Sequence, residues 1–532
     1  MKVLAKASAH CARKKKALSI LLGCLMSLAT LEAAAQQAPL GADPPAREPR
    51  SDTWDLTGEA RLRFVGMRDF GLDTTGATAG RTAWMESRLV AGATFRPIKV
   101  LDIVLEIDAL NGPFAGDLTN TGIARGYDTF NMRRDQAFGG GAFLPRKIYL
   151  SLDGPFVRIL LGQQAFDWGM GLLANDGVGD PDFGDMYQGN LVERIAFVTQ
   201  PLKRSTSVPD WLRGLTAFLA ADLVFRDDNA SVLAGDIAWT ATLGLRLATP
   251  RFQVGLLEVM RRQYDRPEPG RARESQANVW VTDLYGRLFL TRPSAPHTLQ
   301  LETEMALIAG DTTRPFLEET SARGAGVLSF GGAARLRFDS APLRLTAKVE
   351  AGYASGDNDS RDNTARQFSF HTDYNVGLVL FDHVLPMLTA RAVDRLVDPG
   401  LVAVRPLSVR FLVNQGAVSN ALYLNPTVRL RPVPRLELRL GYVLAESDAD
   451  LIDPYSSAKN GGYNANFNGE SPGSRSLGQE VDLGARVSFD LGAGVTLRAG
   501  YEAGFFFPGD ALKNVVDDKP IWTARALSDV SF

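Results

Sequence analysis

The sequence predicts an all-β fold: a transmembrane antiparallel up-and-down β-barrel of about 18 strands, within a range of 16 to 20, with infolded long loops. Three observations carry this reading. Apolar and polar residues alternate with period two in segment after segment, from Trp54 to the last residue, Phe532. The connections run short, then long, then short again, the rhythm of tight periplasmic turns and long outer loops. No run of 18 uncharged apolar residues follows the N-terminal region, so a membrane-embedded chain must cross with strands, closed into a ring so that every backbone N–H and C=O is paired.

Composition narrows the class. The 532 residues are 45% hydrophobic, 22% charged and 9% aromatic, which excludes wholesale disorder, collagen-like repeats and coiled coil. Lys2, Lys6, Arg13, Lys14, Lys15 and Lys16 precede a largely apolar run from Ala17 to Leu31 and the small-residue site Ala33-Ala34-Ala35. Residues 1–35 therefore read as a signal peptide. Leu21-Leu22-Gly23-Cys24 also resembles a lipobox, but the apolar run continues past Cys24 to the better cleavage site. Cleavage after Ala35 leaves 52 basic residues (58 − 6) and 59 acidic ones (60 − 1), a net charge of −7, which argues against a nucleic-acid partner. Both cysteines, Cys11 and Cys24, leave with the signal, so neither a disulfide nor a thiolate metal site is expected.

Residues 36–50 (QQAPLGADPPAREPR) form a Pro-rich periplasmic spacer, and 51–532 the barrel. Strands are expected near 54–66, 81–96, 100–111, 145–153, 156–164, 190–200, 211–225, 235–249, 251–262, 277–291, 297–309, 325–338, 342–354, 421–432, 434–446, 477–490, 494–507 and 520–532. In the first, Trp54, Leu56, Ala60, Leu62 and Phe64 oppose Asp55, Thr57, Glu59, Arg61 and Arg63; in the fifteenth, Leu436, Leu438, Leu440, Tyr442 and Leu444 oppose Arg435, Glu437 and Arg439. Short turns fall at 97–99, 153–155, 249–250, 292–296, 339–341, 432–434 and 491–493; long loops fall at 67–80, 112–144, 165–189, 263–276, 310–324, 447–476 and 508–519. The segment 355–420 breaks the rhythm. Residues 374–381 and 407–413 would supply two more strands, but 382–399 reads as helical, so one long outer loop folding inward is expected. The last strand, ending on Phe532, resembles the terminal signal of outer-membrane barrels, and places the chain in the outer membrane of a Gram-negative cell.

A barrel of this size encloses an aqueous lumen. The inward positions are rich in arginine: Arg61, Arg63, Arg88, Arg158, Arg335, Arg337, Arg429, Arg431, Arg439, Arg486 and Arg498. Guanidinium groups bind carboxylates through paired hydrogen bonds and stay charged, so these residues mark a solute path suited to anions. Inward carboxylates, among them Glu59, Glu86, Glu106, Asp108, Glu302, Glu304, Glu350, Glu437, Glu480, Asp482 and Glu502, are nearly as numerous. A lattice of luminal ion pairs is the competing reading.

Two stretches carry a family resemblance. Gly500–Leu512 (GYEAGFFFPGDAL) and Leu161–Gly169 (LGQQAFDWG) resemble the alginate-export family of outer-membrane porins, although Gln163 stands where that family has Arg. Trp168–Gly177 and Phe370–Tyr374 resemble stretches of related uncharacterised outer-membrane barrels. The resemblance implies a monomeric barrel with infolded loops, exporting an anionic polysaccharide or passing small polar or anionic solutes, with outer-membrane lipid around it and a periplasmic export component as partner.

On their own terms, Trp168, Gly169, Asn175 and Asp176 suggest a constriction folded into the channel, where glycine lets the backbone turn tightly. Asp176, Asp180, Asp182 and Asp185, and separately Asp357, Asp359 and Asp362, have oxygen ligands for Ca²⁺, but neither set has the EF-hand spacing, and an ordinary turn is preferred. No cofactor is expected. Trp54, Trp84, Phe95, Tyr149, Trp211, Trp280, Tyr353, Tyr442, Tyr501, Phe505 and Trp522 are expected as interface anchors, with Tyr149 the rival candidate for a sugar-stacking platform. Enzyme chemistry is not expected. The histidines beyond the signal are His297, His371 and His383, and no G-x-S-x-G, Walker A or H-E-x-x-H motif accompanies them; a hydrolase centred on His371 is the remote alternative, and a general diffusion porin the nearer one.

Overall fold

The computed structural model describes residues 53–117, 143–267, 275–314, 324–359, 362–402, 408–513 and 515–532. The expected signal peptide and spacer lie outside the described residues. Eighteen strands close into one antiparallel barrel. They are β1 (Trp54–Met67), β2 (Ala83–Ile98), β3 (Leu101–Gly116), β4 (Phe143–Asp153), β5 (Val157–Phe166), β6 (Asn190–Thr199), β7 (Leu215–Arg226), β8 (Ile237–Ala248) and β9 (Phe252–Tyr264). The second half comprises β10 (Gln276–Phe289), β11 (His297–Thr312), β12 (Ala325–Ser340), β13 (Leu345–Ala354), β14 (Ala421–Val433), β15 (Leu436–Glu446), β16 (Ser476–Gly492), β17 (Val495–Pro508) and β18 (Ile521–Ser531).

Each strand pairs with its neighbour in sequence, and β1 pairs with β18, Phe64 opposite Ala526, so no edge is left open. The period-two pattern sets which side faces lipid. Leu62 and Phe64 are exposed on the outside while Arg61 and Arg63 are buried inside.

The segment between β13 and β14 is the infolded loop expected from its helical pattern. Residues 380–384 make a π turn that runs into α1 (Leu385–Val397), and Pro386 sits in the first helical turn, where its missing N–H costs nothing. Neither 374–381 nor the described part of 407–413, residues 408–413, forms a barrel strand; Val409–Leu412 is a short 3₁₀ turn, and residue 407 lies outside the described residues. Residues 364–365 touch β12 only as a two-residue bridge. A second short helix, α2 (Pro454–Lys459), is capped by Asp453 and lies in the loop after β15.

The buried apolar core consequently sits inside the barrel rather than between layers. Phe368, Phe370, Leu378, Val379, Leu380, Phe381, Met387 and Leu388 of the infolded segment pack against inward side chains of the wall such as Tyr423, Val443 and Phe506. Trp84 corrects one expectation. It is not an interface anchor but lies inside, beneath the Arg81 guanidinium at 3.9 Å, its Nε1 donating to Glu86 at 2.5 Å. Its phase explains this, because Trp84 stands two and four residues from the inward Glu86 and Arg88. Tyr149 likewise faces inward, packed beside the luminal cluster around Trp168. Trp54, Trp280, Tyr501 and Trp522 are exposed on the outer surface.

Candidate functional site

The residues between β5 and β6, 167–189, cross the lumen. In a ring of eighteen strands β5 and β14 are nine apart, so they stand on opposite walls. Six strands from β5, where the segment first meets the wall, Gly169 adopts φ +64°, a left-handed conformation that an L side chain resists, and a Cβ there would collide with the Glu304 carboxylate. Glu304 on β11 accepts the N–H of Met170 and, at 3.2 Å, that of Leu172. Trp168 Nε1 donates to Asp283 on β10 at 3.1 Å, and the indole packs over Gly255 and beside Phe218.

At the far wall, Asp180 meets Arg486 at 2.5 Å, Arg439 at 3.3 Å and Arg429 at 3.5 Å. Asp182 meets Arg429 at 2.5 Å and Lys348, and accepts from the Thr427 hydroxyl at 3.2 Å. On its return the segment places Asp185 between Arg63 (2.8 Å) on β1 and Arg525 (3.2 Å) on β18. Burial pushes the Asp180 carboxyl up, but Arg439, Arg486 and Arg429 pull it down further, to about 2. Asp182, half-buried, and Asp185, buried, are held well below the usual carboxylate range by Lys348 and Arg429 and by Arg63 and Arg525. Asp167 behaves oppositely: burial, reinforced by Asp176, pushes it up to about 8.

Backbone carbonyls complete the clamp. Arg146 donates to Asp176 O (2.5 Å), Arg88 to Gly177 O (2.9 Å) and Met186 O (2.8 Å), Arg61 to Met186 O (3.1 Å) and Arg226 to Gln188 O (2.6 Å). Much of the luminal arginine thus holds the crossing segment in place.

The infolded segment after β13 anchors on this crossing. Asp373 accepts the N–H groups of Tyr187 (2.7 Å), Gln188 (2.9 Å) and Gly189 (2.7 Å). Burial raises the Asp373 carboxyl, while His371 and these three donors lower it to a net position below the ordinary range. His371 contacts Asn190 Oδ1 through Nε2 at 2.7 Å and accepts the Asp373 N–H through Nδ1 at 3.0 Å. Glu480 on β16 accepts from Leu378 (2.5 Å), Val379 (2.8 Å) and Leu380 (2.8 Å), the free N–H groups where the helical stretch begins. Farther along, Arg410 pairs with Asp236 at 2.6 Å, and Phe411 lies between the guanidinium groups of Arg314 and Arg410.

Of the arginines read from the sequence, Arg61, Arg63, Arg88, Arg429, Arg439 and Arg486 converge on segment 167–189. Arg335 pairs with Glu350 (2.7 Å) and Glu302 (3.5 Å) instead. Toward the periplasmic end Arg158 pairs with Asp153 (2.5 Å), Arg337 with Asp339 (2.7 Å) and Arg431 with Glu437 (2.6 Å), while Arg498 is exposed and has no ion-pair partner among the described residues. Trp168 and Gly169 form the anchor on β10 and β11; the side chains of Asn175 and Asp176 shape the turn, accepting from Gly177 N (2.9 Å) and Val178 N (3.0 Å), while their carbonyls accept from Asn190 N (2.7 Å) and Arg146 (2.5 Å).

Sequence reasoning passed over Arg146, Arg226, Arg525 and Lys348. Lys348 and Arg525 had a usable signal, alternating in phase with the inward Glu350 and Asp529. Asp357 and Asp362 flank Arg366, at 3.8 and 2.7 Å, so a guanidinium already sits in that turn. Asp359 donates its N–H to Asp357 at 3.1 Å and accepts that of Asp362 at 3.3 Å, and among the described residues no group of three or more His, Cys, Asp or Glu side chains is placed to hold a metal ion.

A closed barrel that turns leucine and aromatic side chains outward and ion pairs inward defines an integral outer-membrane protein of a Gram-negative cell. No protein-family model and no curated protein matches the sequence. Among solved structures, the chain is similar to a BenF-like porin from Pseudomonas fluorescens Pf-5 (TM-score 0.47, 9% identity, covering 90% of this chain and 98% of that one). It is also similar to OccK5 (OpdH) of Pseudomonas aeruginosa (TM-score 0.46, 9% identity, 90% and 98%) and to OccK2 (OpdF) of the same organism, solved in complex with glucuronate (TM-score 0.45, 9% identity, 90% and 98%). At this identity and score no function transfers from them.

Proposed function

We propose that the barrel is an outer-membrane channel for small polar or anionic solutes, narrowed by segment 167–189. The observation that carries this reading is the crossing itself: a charged lumen spanned from Glu304 on one wall to Arg439 and Arg486 on another. A polymer exporter of the alginate-export type needs a continuous axial path. Here Asp180, Asp182 and Asp185 would all have to release their arginines to provide one. The pairing of most luminal arginines with carboxylates favours, as a second reading, a general diffusion porin with little charge preference, because paired charges cancel at a distance.

His371 was the candidate for a hydrolase, and its two ring nitrogens meet Asn190 Oδ1 and the Asp373 N–H. His371→Ala is accordingly expected to abolish no hydrolysis. Planar-bilayer conductance tests the main reading, together with liposome swelling in sugars and in their carboxylate counterparts. Small solutes are expected to enter and carboxylates to enter faster. Equal rates select the general porin, and no conductance in any condition overturns the channel.

A further inference from the structure

The outward rows of most strands are apolar, as at Leu328, Leu440, Leu483, Trp522 and Leu62. The face from β6 to β9 differs. Glu193 points outward, since Arg194 beside it turns inward to Asp222 (2.6 Å) and Ile195 and Phe197, in phase with Glu193, are exposed. Arg262 also points outward: its neighbour Arg261 turns inward to Asp227 (2.5 Å), and Met260, in phase with Arg262, is exposed. Glu258 lies on the same outer face, bonded to Trp280 Nε1 (2.5 Å) and the Thr282 hydroxyl (2.9 Å).

Register places two of these charges in one row. Glu193 on β6 stands opposite Leu223 on β7, Leu223 opposite Trp239 on β8, and Trp239 opposite Arg262 on β9. The two ends of the row are about 14 Å apart at the usual strand spacing. Neither Glu193 nor Arg262 has an ion-pair partner among the described residues; Arg262 meets only the Tyr264 ring, at 5.3 Å. Arg262 stands two residues before the end of β9 and Glu193 three after the start of β6, level with Trp239, a depth at which an unpaired charge costs little, so the row is marked by its two opposite charges and not by their burial in lipid.

We propose that this row is the contact with a second copy of the chain, paired about a two-fold axis along the membrane normal that passes between β7 and β8. The row itself selects this occupant because it is self-complementary: the axis sets Glu193 of each copy against Arg262 of the other, with Leu223 and Trp239 meeting between them. Both copies enter the membrane in the same direction, as a two-fold along the normal requires. Strand tilt offsets the ends of the row in depth by roughly 9 Å, a gap that an extended Arg and an extended Glu close between them. The contact is independent of what passes through the lumen, and replaces the monomer expected from sequence resemblance.

A charge swap tests it on the full-length protein. In mild detergent, sedimentation of the wild type is expected to show a dimer. Glu193→Arg and Arg262→Glu are each expected to weaken it about ten-fold or more by setting like charges face to face, and the double variant to restore it. A short thiol cross-linker is expected to join copies in native outer membranes through Ala241→Cys on the same face, but not through Ala351→Cys on β13. The only native cysteines, Cys11 and Cys24, lie before the barrel. A wild-type monomer that also fails to cross-link, a trimer, single variants that associate like the wild type, or a cross-link to a different protein at Ala241 overturns the proposal. Should a single variant fail to fold, the double variant and the cross-link decide it.

Discussion

Asp180 lies 2.5 Å from Arg486, although the segment carrying Asp180 leaves the wall at β5 and Arg486 stands on β16. The contact draws the segment across the lumen, and the same guanidinium also holds Glu502 at 2.7 Å. Arg486 therefore serves the wall and the constriction together.

Removing the far tether should widen the path. The double variant Asp180→Asn, Asp182→Asn keeps the shape of both side chains but loses their charge, removing the carboxylates that Arg429 meets and leaving Arg439 to Glu437 and Arg486 to Glu502. Single-channel conductance is expected to rise about two-fold, and the reversal potential in a KCl gradient to move toward chloride. An unchanged reversal potential would show that these arginines do not face the ion path.

The same tether has a defined pH range. Asp180 is held at about 2, below its ordinary 3.8, so its contribution is fully present above pH 3.8 and fades as pH falls through about 2. Conductance should stay level from neutral pH down to 4 and rise below 3. A transition centred near pH 6 would point to a histidine instead.

Glu480 controls the other infolded segment. Glu480→Ala strands the N–H groups of Leu378, Val379 and Leu380 inside the barrel, with a loss of anchoring of about 3 kcal/mol. External protease is expected to cut within 366–420 in this variant and not in the wild type, while the β-sheet circular dichroism of both stays the same.

Gly255→Ala should displace Trp168 without touching it in sequence. A Cβ at 255 would sit 2.8 Å from the indole, so the ring must move and its bond to Asp283 lengthen. Trp168→Ala removes the anchor itself and is expected to cost about 3–5 kcal/mol. Tryptophan fluorescence should shift to the red in Gly255→Ala, and thermal unfolding should begin earlier in Trp168→Ala than in Gly255→Ala.

Asp167 offers a stabilising change. Its carboxyl is raised from 3.8 to about 8, so its contribution is full below pH 3.8 and is lost as pH rises through 8. Asp167→Asn is expected to raise the melting temperature at pH 9 and to leave it nearly unchanged at pH 4. The opposite order would place Asp167 in contact with solvent.

The phase of each strand was legible because lipid and water impose period two on every residue of a wall. Arg61 and Arg63 inside, with Leu62 and Phe64 outside, follow from three consecutive steps of that alternation. Trp84 was misplaced when its aromatic character was weighed above its phase with Glu86. The inward turn of 355–420 was legible too, since a helical period cannot continue a barrel strand, and α1 occupies that stretch.

A closed, lipid-facing barrel and an interior crowded with arginine and carboxylate were both readable from the chain, because they depend on neighbours one or two residues away. Tertiary structure alone decided which charges meet. Arg63 finds Asp185 and Asp529, 122 and 466 residues distant, and Arg439 finds Asp180, 259 distant. Such pairs depend on where a loop lands on a wall it does not belong to. Local alternation carries no record of that distance, so a row of arginines reads alike whether it faces water or clasps an aspartate.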